Sequence, residues 1–301
     1  MLRLTTLGVI AVGVAIVTLV SCGGGDGVAP SRTTTLGTAT LVGAGDIADC
    51  GSPGAEATAA LLDSIPGTVF TTGDNAYEDG TAAEFQDCYD PTWGRHKART
   101  QPAAGNHEYH TPGASGYFEY FGAGAGDRDE GYYSYDLGAW HIVVLNGECS
   151  EVPCSAGSAQ EEWLRADLAA NATACTAAYW HQPRFSSGSQ HGSSTSYTAF
   201  WEALYDHGVE LVINGHEHNY ERFAPQKADG TADLVRGIRQ IVVGTGGRNH
   251  TGFDSPIPNS EVRNDDTFGV LKLTLRPTSY EWEFVPEAGG TFTDMGSESC
   301  R

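Results

Sequence analysis

Short apolar runs bounded by glycine and aspartate recur along the chain, separated by stretches with helical spacing. Ala39 to Gly43 and Thr68 to Thr71 read as strands, each followed by a Gly-Asp pair, Gly45-Asp46 and Gly73-Asp74. Between them, Ala55 to Leu62 is rich in alanine and predicts a helix. Tyr132 to Asp136 and Trp140 to Leu145 predict two strands joined at Gly138. Ser158 with Glu161 is a capping-box signal for a helix running toward Ala170. Ala177 to Trp180 predicts a strand ending at His181, and Ser196 to His207 a helix closed by Gly208. Glu210 to Ile213 is a further strand, leading into Gly215-His216-Glu217-His218-Asn219-Tyr220. Gln240 to Val243 runs into Gly244-Thr245-Gly246-Gly247, too short for a dinucleotide fingerprint and expected to let backbone pass close to a site. Thr267 to Leu275 and Tyr280 to Phe284 alternate like antiparallel strands. Strands alternating with helices predict an α/β fold.

Four groups able to bind a metal, Asp46, Asp74, His181 and His216, fall at the ends of apolar strands. Neighbouring strands lie about 4.8 Å apart, and loops at one sheet edge share a crevice, so such groups converge. A single Gly-Asp after a strand is a plain turn, and a single His-x-His is surface polarity. Repetition of the arrangement is what points to a metal site.

Composition narrows the partners. The 301 residues carry 38 acidic against 17 basic side chains, a net charge of −21 with no basic run. That argues against nucleic acid or an anionic membrane face. Forty per cent apolar content supports a substantial core. No internal repeat is visible.

The chain's start reads as an address rather than as fold. Arg3 precedes an apolar stretch from Leu7 to Val20, too short to span a bilayer comfortably. It ends in Leu19-Val20-Ser21-Cys22, similar to a bacterial lipoprotein signal. The expectation is a signal peptide over residues 1–21, lipidation at Cys22, a flexible tether over 22–37 and one catalytic domain over 38–301. The membrane would then be met only through the lipid at Cys22, at the cell envelope. An ordinary secretory peptide with a free Cys22 is the rival. Setting Cys22 aside leaves six cysteines, an even set in an exported chain, which suggests three disulfides out of fifteen pairings. The expected set is Cys50 with Cys88, Cys149 with Cys154, and Cys175 with Cys300.

Gly45-Asp46-Ile47-Ala48, Gly73-Asp74-Asn75-Ala76-Tyr77, Gly105-Asn106-His107-Glu108, Tyr179-Trp180-His181 and Gly215-His216-Glu217-His218 follow one another in this order. Together they resemble the motifs of the calcineurin-like metallophosphoesterases, and among these the purple acid phosphatases, over roughly Thr38 to Phe284. The resemblance implies two mixed β-sheets packed as a sandwich with helices outside. It also implies hydrolysis of phosphate esters by a hydroxide held at two metals. Asp46-Ile47-Ala48 lacks the histidine that the wider superfamily carries two residues after the aspartate. Tyr77, three residues after Asp74, offers a phenolate instead, a hard anion suited to a trivalent ion. Ala48 stands where that branch usually has glycine.

Residue by residue, the resemblance implies Asp46, Tyr77 and His218 on Fe(III). It puts Asn106, His181 and His216 on Zn(II), Fe(II) or Mn(II), with Asp74 bridging. His107 and His191 match histidines that contact the phosphate and assist the leaving group. The implied partner is a small phosphate ester, most simply a phosphomonoester. A phosphodiesterase or nucleotidase with the same metals, or a phosphate-binding lipoprotein without turnover, remain open. Arg184 either pairs with phosphate or is solvated. Glu108 and Glu217 are expected to orient the neighbouring ligands, His141 to sit in a strand, and His207 to close a helix.

Overall fold

A computed structural model describes residues 37–172 and 175–301 of the protein. The expected signal peptide, Cys22 and all but the last residue of the expected tether lie outside the described residues. The first half runs β1 (Ala39–Ala44), α1 (Gly54–Ser64), β2 (Thr68–Thr72), α2 (Ala82–Glu84), β3 (Thr100–Ala103), α3 (Asn106–Tyr109), α4 (Ser115–Phe121), β4 (Tyr133–Leu137) and β5 (Trp140–Val144). It continues through α5 (Ala159–Ala170), β6 (Cys175–Tyr179), α6 (Thr198–Asp206), β7 (Leu211–Asn214), β8 (Tyr220–Phe223) and β9 (Arg239–Val243). The hairpin-rich end comprises β10 (Ser260–Asn264), β11 (Gly269–Arg276), β12 (Ser279–Pro286) and β13 (Met295–Ser299).

These strands form two mixed sheets, ordered β13-β12-β11-β1-β2-β3 and β10-β8-β9-β7-β6-β5-β4. Parallel pairing runs through β1-β2-β3 in the first and β5-β6-β7-β9 in the second. A strand presents alternate residues to opposite faces, and the second sheet uses both. Leu211 and Ile213 of β7 and Cys175, Ala177 and Tyr179 of β6 enter the core shared by the sheets. Val212, Ala178 and Trp180 join a second core with Leu164 of α5 and Phe200 and Leu204 of α6. Burial on both faces explains why these strands read as continuous apolar runs. Phe70 and Tyr179 meet across the sandwich, their ring centroids 5.6 Å apart.

The expected strands and helices are all present, and β3, β8, β10 and β13 are additional. β3 and β13 are polar edge strands; Pro102 is tolerated in β3 because an edge strand has an unpaired side. β8 hides its periodicity behind charges that are paired: Arg222 Nε donates to Asp294 Oδ2 at 2.6 Å. Ser158 Oγ caps α5 through the N–H of Glu161, but Glu161 turns back to the Gly157 N–H, so only half of the capping box forms.

All three expected disulfides are formed, with Cα separations of 4.8, 5.1 and 5.4 Å in chain order. Cys175–Cys300 closes a span of 125 residues and ties the end of the chain to β6. Constraining a loop of that size removes on the order of 4–5 kcal/mol of freedom from the unfolded chain.

Candidate metal centre

The C-terminal ends of the parallel strands of both sheets open onto one crevice. Asp46 follows β1, Asp74 and Tyr77 follow β2, and Asn106 opens α3 just past β3. The second sheet delivers His181 after β6, with His216 and His218 between β7 and β8. Among the described residues, five non-glycine residues adopt positive φ, and three of them are Asp46 (61°), Asp74 (50°) and His216 (73°). Left-handed backbone is disfavoured for residues with a Cβ and persists only where the surroundings fix it. Backbone packing leaves little choice: a Cβ at Gly105 would stand 2.3 Å from Asp74 Oδ1, and one at Gly244 2.7 Å from Asp46 Oδ2. The glycine-rich turn therefore does pass close to the site, as its composition suggested.

The polar atoms converge in two overlapping groups. Tyr77 Oη donates toward Asp46 Oδ1 at 3.0 Å and Asp74 Oδ2 at 3.1 Å, and lies 3.3 Å from His218 Nε2. The same Asp74 Oδ2 lies 3.1 Å from His181 Nε2, which is in turn 3.2 Å from His216 Nδ1. One ligand atom from each of Asp74, His181 and His216 lies within 4.8 Å of the others. Asp74 thus belongs to both groups. Asn106 is joined to it by the next residue, whose His107 N–H donates to Asp74 Oδ1 at 2.9 Å.

Hydrogen bonds to the far ring nitrogens set which imidazole atom faces the crevice. His181 Nδ1 donates to the Thr72 carbonyl at 2.7 Å, which turns Nε2 toward Asp74. His218 Nδ1 faces Asn249 Oδ1 at 3.0 Å, which turns Nε2 toward Asp46 Oδ1. Fixing the tautomer through an outer partner is common among metal-binding histidines.

The crowded charges perturb one another. Burial pushes the Tyr77 hydroxyl well above its usual range, and the Asp46 and Asp74 charges push it further. Burial would lower His181, but the Asp74 carboxylate outweighs it and raises the imidazole to about 10. His216 falls to about 3 through burial and the neighbouring His181 and His191. Burial raises Asp46, yet the hydrogen bond and charge of His218 hold its carboxyl below the ordinary value.

The residues present fit metal ions. Asn106 Oδ1 is buried without a hydrogen-bond partner, the state expected of an atom meant for a cation. Carboxylate, phenol and amide oxygens with imidazole nitrogens suit iron, zinc and manganese.

His107 and His191 stand beside this cluster. The His107 ring lies 4.4 Å from that of Tyr77, and its Nδ1 contacts the Glu78 carbonyl at 2.5 Å. His191 stacks on His216 with ring centroids 4.0 Å apart. Burial lowers His191, so in the metal-free protein it takes a proton less readily than a free imidazole. Glu108 and Glu217 do orient the loops: Glu217 Oε1 accepts the N–H groups of His191 and Gly192 at 2.7 and 2.6 Å. His207 closes α6 by facing the Ala203 carbonyl, and His141 sits in β5 as expected.

Arg184 departs from its solvated reading. It is buried and spends Nη2 on the Ala228 carbonyl at 2.8 Å. Ala48 is fully buried beside Ala76, so its methyl fits the first loop. Two residues at the site gave no usable signal in sequence. Asn249 reads there only as the start of an Asn-x-Thr triplet. Arg248, whose guanidinium lies 4.9 Å from the Tyr77 ring, is an isolated charge in a glycine-rich turn.

The arrangement defines a metal-binding α/β class with ligands at the strand ends of two sheets. The family model described as calcineurin-like phosphoesterase matches residues 39–220. The chain belongs to that family, on its purple acid phosphatase-like branch. Purple acid phosphatase 15 of Arabidopsis thaliana is 36% identical over 96 residues, covering 30% of this chain and 18% of the relative. Purple acid phosphatase 21 of the same plant is 34% identical over 157 residues, covering 48% and 34%. The chain thus spans no more than about a third of these two relatives. A purple acid phosphatase from yellow lupin (Lupinus luteus) seeds superposes with a TM-score of 0.69 at 22% identity, over 87% of this chain and 54% of that one. The anchor in the inner membrane complex of Plasmodium reaches the same TM-score at 15% identity, over 88% and 90%. Both likenesses concern the fold.

Proposed function

We propose that the protein is a two-metal phosphoesterase that hydrolyses small phosphomonoesters, an acid phosphatase of the purple type. The observation that carries this reading is Asp74, whose Oδ2 lies 3.1 Å from Tyr77 Oη and 3.1 Å from His181 Nε2. In this reading Asp46, Tyr77 and His218 hold Fe(III). Asn106, His181 and His216 hold Zn(II), Fe(II) or Mn(II), and Asp74 is shared. When bound, such a pair polarises phosphoryl oxygens and acidifies water.

The chain supplies the rest. The Tyr77 phenolate favours the trivalent ion. His107 and His191 flank the cluster from two different loops, where each can donate to phosphate oxygen or to the departing alkoxide. Glu217 holds the His191 backbone in place through two N–H groups, so the proton donor does not have to be ordered during the reaction. Three disulfides suit an oxidising compartment. An export signal and a lipid at Cys22 would place the enzyme at the bacterial cell envelope.

Metal analysis of the purified protein, combined with a panel of phosphate mono- and diesters, tests the proposal. Two ions per chain, one of them iron, with faster turnover of monoesters is the expected result. A chain loaded with two ions that turns over neither class of ester would be a binding protein, and the enzymatic reading would fall.

A further inference from the structure

Arg248, in the loop after β9, ties that loop to the loops after β1 and β2. Its Nη1 pairs with Asp49, three residues past Asp46, and its Nη2 with Glu78 Oε2 at 2.6 Å, next to Tyr77. Its own backbone N–H donates to the Asp46 carbonyl at 3.0 Å. The result is a cation held 4.9 Å from the centroid of the Tyr77 ring, while the Tyr77 hydroxyl is directed at Asp46 and Asp74. The side chain is about a quarter exposed. It is too far from solvent to be a free surface charge and too exposed to be core packing.

We infer that Arg248 is a positioning residue for the Tyr77 ligand: its charge tunes the phenolate, and its ion pairs fix the ring. The inference rests on the reading of Tyr77 as a ligand of Fe(III). A cation near an aromatic ring is attracted to its π electrons, and by the same attraction it lowers their energy. Light absorbed by an iron–phenolate pair moves an electron from those orbitals to the metal. Lower donor orbitals mean a higher transition energy, so Arg248 holds the band at shorter wavelength than Tyr77 alone would give. Glu78 partly compensates the cation, and therefore works in the opposite sense.

That opposition supplies a test which loosening of the loops would not mimic. The visible band of the iron-loaded protein is recorded for the wild type, Arg248→Met, Arg248→Lys and Glu78→Gln. Iron transfer to a strong chelator is followed in parallel. Arg248→Met should shift the band to longer wavelength, and Glu78→Gln, with Arg248 still held by Asp49, to shorter. Arg248→Lys should restore most of the wild-type position. Iron should leave Arg248→Met about ten-fold faster, the size of a cation–π contact. Shifts in the same direction for Arg248→Met and Glu78→Gln, or none, would overturn the role of Arg248 while leaving the coloured centre intact. A wild type that binds iron without any visible band would overturn the Tyr77 assignment itself, and Arg248 with it.

Discussion

The backbone N–H of Asp74 donates to Glu108 Oε2 at 2.9 Å, so a buried carboxylate on one loop sets the orientation of a carboxylate on another. The same Glu108 side chain accepts the N–H groups of Gly105 at 2.7 Å, Asn75 at 2.7 Å and Ala76 at 3.3 Å. Removing it strands four buried donors, each costing roughly 1–3 kcal/mol. Glu108→Ala should therefore lower the unfolding free energy by about 4 kcal/mol or more, as read by urea denaturation. Glu108→Gln keeps one acceptor oxygen and should fall between the two.

Asn106 predicts the reverse pattern. Its Oδ1 has no partner within the protein, so truncation breaks no hydrogen bond at that atom. Asn106→Ala should leave the metal-free fold within about 0.5 kcal/mol of wild type, yet lower the divalent metal content and the turnover. A loss of stability without loss of metal would show that Asn106 serves the fold alone.

Loading the centre should release protons. The Tyr77 hydroxyl lies well above its usual range and His181 at about 10, so both carry protons in the metal-free protein near neutrality. Metal binding must displace them. Apparent affinity should rise with pH through neutrality and weaken on acidification. Calorimetry in buffers of different ionisation enthalpy measures the protons released, and a buffer-independent heat would contradict the expectation.

His191 is expected to act on the reaction and not on the metals. Its ring stacks on His216, but its backbone is held independently by Glu217. His191→Ala should lower kcat by about 10²-fold, the range of proton-transfer catalysis, at full metal content. It should also change the shape of the pH–rate profile. An unaltered profile would remove His191 from the chemistry.

Away from the centre, His141 makes stability depend on pH. It lies between Asp136 Oδ1 at 2.9 Å and Asp167 Oδ2 at 2.7 Å, its side chain 3% exposed. Burial lowers the imidazole, but Asp167 and then Asp136 outweigh this and raise it above its free value of 6.5. A group that binds its proton more tightly when folded adds stability that is complete below about pH 6.5. That stability is lost as pH climbs through the raised value. His141→Gln should flatten this part of the pH–stability curve.

How much was legible follows from what each residue does. Asp46, Asp74, His181 and His216 were readable because each follows a buried strand, where an apolar run stops abruptly at a polar residue able to bind metal. β3, β8 and β13 were not, since edge pairing and ion pairs allow a strand to be written in polar residues. Asn106 follows one of these hidden strands, and only its resemblance to a known motif marked it. Arg248 and Asn249 act on residues 171 and 31 positions away, Tyr77 and His218. No local pattern encodes a contact of that kind.

The proposed ligand set is divided between the two sheets: Asp46, Asp74, Tyr77 and Asn106 come from one, and His181, His216 and His218 from the other. A slip of one residue between the layers, about 3.3 Å along a strand, would equal or exceed the hydrogen-bond distances in the cluster. Competence is therefore all or nothing with respect to folding. A partly folded chain, with one sheet formed and the other not yet docked, would hold only half of the proposed ligands and could not assemble the centre.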